Sequence, residues 1–163
     1  MINKIKNNVF QLYFKEFGSC VYLLLLNGLR VLVDTSSKEN KEELLKDLQE
    51  LDIKPEEVNI ILLTHTHWDH TGNLPVFKNA EIYDANNIDK LTLEKIKVIK
   101  TPGHTKDSRC FLYQDILFSG DTIFHNGGRG RTDLPGGSEK EILNSIEKLN
   151  KIKYKILCPG HVD

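Results

Sequence analysis

The sequence predicts an α/β protein in which two β-sheets pack back to back and helices cover their outer faces. Eight apolar runs have the length of strands: residues 9–14, 20–26, 29–33, 58–63, 96–99, 109–113, 116–118 and 156–158. Two Ser-x-x-Glu capping boxes, one in each half of the chain, precede apolar residues at helical spacing. Two sheets with helices outside them is the most economical packing of these elements, and a single domain over residues 1–163 is expected.

Local signals place the elements of the first half. The strands at residues 20–26 and 29–33 are joined by Asn27-Gly28, a dipeptide typical of two-residue hairpin turns. The capping box of Ser36 and Glu39 predicts the start of a helix. The apolar side of this helix has helical spacing and comprises Leu44, Leu45, Leu48 and Leu51.

The second half repeats this order. The strands at residues 109–113 and 116–118 form a predicted hairpin around Gln114-Asp115. The capping box of Ser138 and Glu141 predicts a second helix. Its inward-facing residues are Ile142, Ile146 and Leu149.

The sequence THTHWDH at residues 64–70 directly follows a predicted buried strand and places four strong metal ligands within six positions. His65 and His67 are two apart, so in an extended segment their rings leave the same side and can converge on one cation. Asp69 and His70 are adjacent and diverge, which lets them serve a second cation. Imidazole and carboxylate together suit zinc, iron or manganese, whereas calcium prefers oxygen ligands alone.

Three further candidate ligands follow later strands. His104, Asp121 and His161 each come just after an apolar run, and a glycine immediately before each one lets the backbone turn tightly. Each of these motifs is weak when taken singly. Together with residues 64–70 they form an ordered set of seven candidate ligands.

The order His-x-His-x-Asp-His, Gly-His, Gly-Asp, Gly-His resembles the metallo-β-lactamase superfamily over nearly the whole chain. The resemblance implies a four-layer αββα sandwich with two mixed sheets. It implies one metal held by His65, His67 and His104, a second held by Asp69, His70 and His161, and Asp121 as the bridge between them. It also implies that Asp34 supports the ligand loop by hydrogen bonding rather than by binding metal; an ordinary turn aspartate is the alternative.

The implied chemistry is hydrolysis by a water or hydroxide that bridges two zinc ions. Bound zinc lowers the pKa of its water from about 15.7 to about 7, and two metals can also polarise a substrate carbonyl. Asp69 is the candidate catalytic residue that holds or transfers the proton. Iron or manganese remains open in place of zinc.

The loop at residues 122–137 is expected to select the substrate. Its string Gly-Arg-Thr-Asp-x-Pro-Gly-Gly is similar to short glyoxalase II-like members of the superfamily, and also to the persulfide dioxygenases. Arg129, Arg131 and His125 are candidate substrate-binding residues, because arginine can hold a carboxylate or phosphate. Two alternatives stay open: Arg131 in an ion pair with Asp133, and His125 as an ordinary loop histidine.

Composition limits the function. The 163 residues are 39% hydrophobic and carry a formal net charge of −1, which suits a small enzyme and disfavours a broad nucleic-acid surface. The three cysteines are odd in number and lack paired spacing, which favours buried thiols in a reducing cytosol. Residues 1–8 are polar and no signal peptide or membrane span is evident, so we expect a cytoplasmic protein. A homodimer is left open.

The favoured function is cleavage of a thioester, as in hydroxyacylglutathione hydrolase, or of a similar small acyl substrate. The sequence ends two residues after His161, without the helical region that grips glutathione in full-length glyoxalase II, so we expect inefficient turnover of S-lactoylglutathione. One alternative is a persulfide dioxygenase with one iron on His65, His104 and Asp121. Promiscuous β-lactamase or ribonuclease activity also stays open, as does a role as a metal-bearing scaffold or electron carrier.

Overall fold

The computed structural model describes residues 1–162, and the chain divides into two compact units, the first of which is Met1–Asp84. Each unit contains one mixed β-sheet with helices, so the predicted α/β class is confirmed. That the two units make one domain stays a prediction.

The first unit holds a six-stranded sheet in chain order. Its strands are β1 (Ile2–Lys6), β2 (Val9–Leu12), β3 (Val21–Leu26), β4 (Leu29–Val33), β5 (Ile60–Leu62) and β6 (Glu81–Tyr83). The first four strands are antiparallel, whereas β5 and β6 run parallel to β4. The β3–β4 turn has positive φ at Asn27 (51°) and Gly28 (85°), as the predicted two-residue hairpin requires.

Helix α1 (Lys41–Glu50) packs on this sheet through the apolar side predicted from its spacing. Leu44 and Leu48 are fully buried against a core that includes Leu23, Leu32 and Ile61. A second, single-turn helix, α2 (Trp68–Thr71), follows β5. Burial of these apolar side chains is the main contribution to the stability of the sheet from which the ligand-bearing loops extend.

The predicted capping box at Ser36 is wrong. Ser36 has a φ of 60°, and α1 begins five residues later, after a 3₁₀ turn at Lys38–Asn40. The Ser36 hydroxyl instead accepts a hydrogen bond from Asn40 Nδ2 at 3.1 Å, and the Ser36 carbonyl accepts one from the Gly72 amide at 2.9 Å. Tertiary bonds between the loops around β4 and α2 therefore displace the local cap.

Two strands in this sheet were not predicted from the sequence. These are β1 and β6, which lie at its two edges and are mostly exposed or half-buried. An edge strand buries little surface, so its sequence lacks the apolar run that marks a central strand.

The second unit holds a four-stranded sheet in the order β10-β9-β8-β7. Its strands are β7 (Ile96–Lys100), β8 (Arg109–Tyr113), β9 (Ile116–Gly120) and β10 (Ile156–Pro159). Strands β7, β8 and β9 are antiparallel, and β10 joins β9 in parallel. The predicted β8–β9 hairpin is confirmed, with Gln114 at a φ of 55° in its turn.

Helix α3 (Glu139–Asn150) packs on the second sheet through Leu149, which contacts Ile99, Cys110 and Leu117. Half of the predicted capping box is present, because the Ser138 hydroxyl accepts a hydrogen bond from the Glu141 amide at 3.3 Å. The reciprocal half is wrong, since the Ser138 amide donates to the Gly103 carbonyl at 2.8 Å. No helix among the described residues is long and apolar enough to cross a bilayer.

Candidate functional site

The residues of the sequence THTHWDH lie where β5 ends in the first unit. His65 and His70 are almost fully buried, Asp69 is 7% exposed, and His67 is half-buried. The backbone turns into α2 directly after His67, so Asp69 and His70 leave a helical turn rather than an extended loop. The turn also brings His70 back towards His65, with ring centroids 4.0 Å apart.

His65 and His67 converge as the sequence predicts. His65 Nε2 lies 3.1 Å from His67 Nδ1, and the ring centroids are 4.7 Å apart. A tetrahedral zinc with bonds of about 2.0 to 2.1 Å separates neighbouring ligand atoms by about 3.3 Å. The two nitrogens therefore fit a shared metal ion.

Asp34 fixes the orientation of this ligand loop. Its Oδ1 accepts the Thr64 amide at 2.9 Å, and its Oδ2 accepts the Thr64 hydroxyl at 2.7 Å and His70 Nδ1 at 2.8 Å. Because an ionised carboxylate can only accept, the proton of His70 lies on Nδ1, which leaves Nε2 as the nitrogen able to bind metal. Thr64 Oγ1 also lies 3.2 Å from His65 Nδ1, so one buried carboxylate positions two candidate ligands.

Asp69 lies beside His70 at the start of α2. Its Oδ2 is 4.0 Å from His70 Nε2, and its backbone carbonyl accepts the Ser19 amide at 2.9 Å. The backbone bond holds the residue while the carboxylate stays close to the nitrogen that can bind metal. Asp69 can therefore serve as a ligand or as a proton acceptor at this position.

The second unit brings together its three candidate ligands. Asp121 Oδ2 lies 3.5 Å from His104 Nε2 and 3.4 Å from His161 Nε2. These separations also match the distance between neighbouring ligands of one zinc ion. A carboxylate oxygen placed between two imidazole nitrogens is the arrangement expected of a bridging ligand.

The glycine-rich loop contacts these ligands through its backbone. His104 Nδ1 donates to the Arg131 carbonyl at 2.7 Å, which leaves Nε2 to face Asp121. The Gly130 amide donates to the Asp121 carbonyl at 2.9 Å. A Cβ on Gly130 would lie 2.2 Å from that carbonyl oxygen and 2.8 Å from His104 Nδ1, so only glycine fits. Sequence reasoning missed this positioning role.

A buried polar cluster ties the ends of β7, β8 and β9 together. Thr101 Oγ1 lies 2.9 Å from Thr122 Oγ1 and 3.4 Å from Cys110 Sγ, and Cys110 Sγ donates to the Ser119 carbonyl at 3.4 Å. Burial raises the pKa of Cys110 to about 11, so the residue is a neutral thiol. All three cysteines are buried thiols, as the sequence predicts.

The candidate substrate-binding side chains of the loop at residues 122–137 are either paired with a carboxylate or exposed, whereas Phe124 of the same loop lies against His161, with ring centroids 6.2 Å apart. Arg131 donates to both carboxylate oxygens of Asp133, at 2.7 and 2.6 Å, so the ion pair left open by the sequence is present. Arg131 lowers the pKa of Asp133 to about 2 through these hydrogen bonds. Arg129 pairs with Glu139, and His125 is exposed. Their predicted contacts with substrate stay predictions.

Trp68 is 60% exposed and lies beside Phe17, which is 66% exposed. Their ring centroids are 5.9 Å apart. Trp68 directly precedes Asp69 in α2. The Phe17–Trp68 pair is therefore an exposed apolar surface that includes a residue of the ligand turn. Phe17 was not identified from the sequence, since a lone phenylalanine in a loop carries no pattern.

Comparison with known proteins identifies the family. The model of the metallo-β-lactamase superfamily matches residues 15–85 and 84–161. A protein of Methanocaldococcus jannaschii described as a probable metallo-hydrolase is 31% identical over 143 residues, which is 80% of this chain and 70% of that protein. The hydroxyacylglutathione hydrolase of an Enterobacter species is 35% identical over 136 residues. That match covers 72% of this chain and only 52% of the relative, so the chain aligns with about half of its length.

The solved structures agree on the fold. A metallo-β-lactamase family protein from Thermus thermophilus superposes with a TM-score of 0.83 at 20% identity, over 98% of this chain and 75% of that one. The fold class implied by the ligand order is therefore confirmed. With the family model matching both units, the chain belongs to the metallo-β-lactamase superfamily.

Proposed function

We propose that the chain is a metal-dependent hydrolase that uses two zinc ions to cleave a thioester or a similar small acyl substrate. The observation that carries the proposal is the spacing of imidazole and carboxylate atoms in each unit, 3.1 Å between His65 and His67 and 3.4 to 3.5 Å around Asp121. Such spacing suits metal ions with nitrogen and oxygen ligands. Membership of the superfamily supports the same function.

The proposed ligands come from both units, in the order in which the superfamily presents them. One ion would be held by His65, His67 and His104, the other by Asp69, His70 and His161, and Asp121 would serve both. Support comes from the motif order along the chain and from the contacts within each unit. Three of the histidines have a second contact that sets the ring orientation: Thr64 for His65, Asp34 for His70 and the Arg131 carbonyl for His104.

The chain's own residues then prepare the site for hydrolysis. Two bound zinc ions would polarise the substrate carbonyl and provide a nucleophilic water near neutral pH. Asp69 would take the proton from that water and return it to the leaving group, because its carboxylate is buried yet held next to His70 Nε2 at 4.0 Å. Asp34 and Thr64 would keep His65 and His70 in the orientation that binds metal.

A thioester is the proposed substrate class. The hydroxyacylglutathione hydrolase relative supports it, although this chain spans about half of that protein. The exposed Phe17–Trp68 pair offers an apolar surface that suits an acyl chain. Arg129, Arg131 and His125 remain the proposed contacts for an anionic part of the substrate.

A kinetic panel tests this proposal. Purified protein loaded with zinc should hydrolyse short acyl thioesters faster than the matched oxygen esters, lactones and β-lactams. His67→Ala and Asp121→Ala should each abolish the reaction while circular dichroism stays native. Asp52→Asn, a change at an exposed turn after α1, serves as the control and should keep full activity. Undiminished hydrolysis by His67→Ala would remove the basis for the assigned ligands.

Location and assembly are also proposals. Three buried thiols suit a reducing compartment, which supports a cytoplasmic protein. A net charge of −1 supports a small-molecule substrate over nucleic acid. A homodimer remains open, and measurement of molar mass in solution by light scattering decides it.

A further inference from the structure

Asn73 is a buried asparagine two positions after α2, and neither the ligand motif nor the proposed chemistry gives it a role. The residue is 1% exposed. Its Nδ2 donates to the carbonyl oxygens of Thr35 and Ser37, each at 2.7 Å. Because a carbonyl oxygen can only accept, both contacts require the amide NH₂ group. One side chain therefore ties the end of the ligand turn to residues 34–37, the segment that follows β4.

Residues 34–37 have a backbone conformation that is uncommon outside glycine. Asp34 and Ser36 both have a φ of 60°, in the left-handed region. This region is sterically unfavourable for L-residues, and such a conformation persists only where the surrounding structure enforces it. The conformation matters for the site, because the Asp34 carboxylate accepts His70 Nδ1 at 2.8 Å and the Thr64 amide at 2.9 Å.

Backbone hydrogen bonds join the same segment to the ligand turn. The Thr35 amide donates to the His70 carbonyl at 2.8 Å, and the Gly72 amide donates to the Ser36 carbonyl at 2.9 Å. The two segments are in direct contact, since a Cβ on Gly72 would lie 2.4 Å from the Lys38 amide nitrogen. A change in the backbone of residues 34–37 would therefore be felt at His70.

The two bonds from Asn73 lie on either side of Ser36 in the sequence. Rotation of Ser36 to an ordinary negative φ would turn the peptide group between Thr35 and Ser36. The Thr35 carbonyl would then point away from Asn73 Nδ2, and a buried hydrogen bond would be lost. The Asn73 amide is thus a specific contact that favours the left-handed conformation.

We propose that Asn73 is a positioning residue for the candidate ligand His70. Its amide holds residues 34–37 in the left-handed conformation, and this conformation keeps the Asp34 carboxylate on His70 Nδ1. The proton stays on Nδ1, and Nε2 stays available to a metal ion. The effect on metal binding rests on the proposed function, whereas the effect on the bond between Asp34 and His70 does not.

Hydrogen exchange of the His70 Nδ1 proton tests this role in the full chain. Metal-depleted protein labelled with ¹⁵N-histidine is followed by NMR. A proton held by a buried carboxylate exchanges when the structure opens locally, so the wild type should show a slowly exchanging Nδ1–H signal. Asn73→Ala should speed this exchange about tenfold or more, because two buried hydrogen bonds are lost. Zinc affinity, measured by chelator competition, should fall about tenfold, the lower end for partners of metal ligands.

Two control variants and a second test variant accompany Asn73→Ala. Asn79 also donates Nδ2 to a carbonyl but is exposed, so Asn79→Ala should behave as the wild type. Asn59 accepts the Arg30 amide at 2.8 Å at the opposite end of β5, so Asn59→Ala should lower stability but leave the exchange unchanged. Asn73→Ser has a hydroxyl one bond shorter, and water can fill the space left; it should fold and show the same faster exchange.

Wild-type exchange in both Asn73 variants would overturn the proposal. Equally fast exchange in Asn59→Ala would also overturn it, because the effect would then be general destabilisation. Fast exchange with wild-type zinc affinity would refute the role of Asn73 in metal binding. If the wild type binds no zinc, the proposed function fails, while slow exchange that is lost only in the Asn73 variants still supports the positioning of His70.

Discussion

Replacement of Asp34 by asparagine changes the protonation of a proposed metal ligand with little change in shape. Asp34 has a φ of 60°, a region that asparagine also tolerates, so the backbone is not strained by the substitution. The amide oxygen can still accept the Thr64 amide in place of Oδ1. The amide nitrogen, however, would replace Oδ2 and present a donor to His70 Nδ1. His70 must then carry its proton on Nε2, the nitrogen needed for metal.

The structure sets the expected magnitude. The 2.8 Å bond between His70 Nδ1 and Asp34 Oδ2 is charge-assisted and buried, and such bonds are worth about 1.5 to 3 kcal/mol. If His70 kept its proton on Nδ1 in the variant, this hydrogen bond would be lost. The amide NH₂ group and the Nδ1–H group, which are both donors, would then face each other. We therefore expect metal affinity to fall by about 10- to 100-fold, since about 1.4 kcal/mol corresponds to tenfold. The free energy of unfolding should fall by about 1 to 3 kcal/mol.

Competition with a chromogenic zinc chelator measures the affinity, and urea unfolding of metal-depleted protein measures the stability. Asp52→Asn is the matched control, because Asp52 also has positive φ, 57°, but is exposed. It should change neither quantity. Wild-type zinc affinity in Asp34→Asn would refute the argument that Asp34 sets the tautomer of His70.

Three further changes probe other parts of the structure. Gly130→Ala should destabilise the protein by about 1 to 3 kcal/mol and abolish activity. Gly128→Ala is the control and should do neither, because a Cβ there has no neighbour closer than 3.5 Å. An active Gly130→Ala variant would contradict the close contact of Gly130 with Asp121 and His104. Arg131→Ala should raise KM for an anionic substrate with an unchanged Tm, because its pair with Asp133 is exposed; a lower Tm with unchanged KM would make the arginine structural. Burial raises the pKa of Cys110 to about 11, so iodoacetamide at pH 8 should label it only after unfolding, as peptide mass mapping would show; labelling of native protein would contradict that burial.

The central elements could be predicted because burial leaves a clear pattern. Strands β3, β4, β8 and β9 contain long apolar runs, and the β3–β4 turn carries Asn27 and Gly28, which are suited to positive φ. Edge strands β1 and β6 could not be predicted, because they expose much of their surface. The capping box predicted at Ser36 does not form, because the Ser36 carbonyl accepts the Gly72 amide and the Ser36 hydroxyl accepts Asn40 Nδ2.

The candidate ligands could be proposed from residue type and order, because seven histidine and aspartate residues after strands follow the order of a known metal-ligand motif. The hydrogen bonds that orient these ligands could not be predicted from the sequence. The bond from His104 to the Arg131 carbonyl joins backbone and side chain 27 positions apart, and a carbonyl has no signature in the sequence. The ion pair of Arg131 with Asp133 is local, so the sequence could offer it as an alternative to substrate binding.

The most direct test of the proposed dinuclear zinc hydrolase is metal content. Protein purified without added metal is analysed by mass spectrometry for zinc, iron and manganese, with protein concentration from amino-acid analysis. Asp121→Ala is prepared in parallel, because loss of a shared ligand should lower the content well below that of the wild type. About two zinc ions per chain, with thioester hydrolysis that follows the zinc, is the expected result. One iron with little zinc, or no bound metal in an active enzyme, would contradict the proposal.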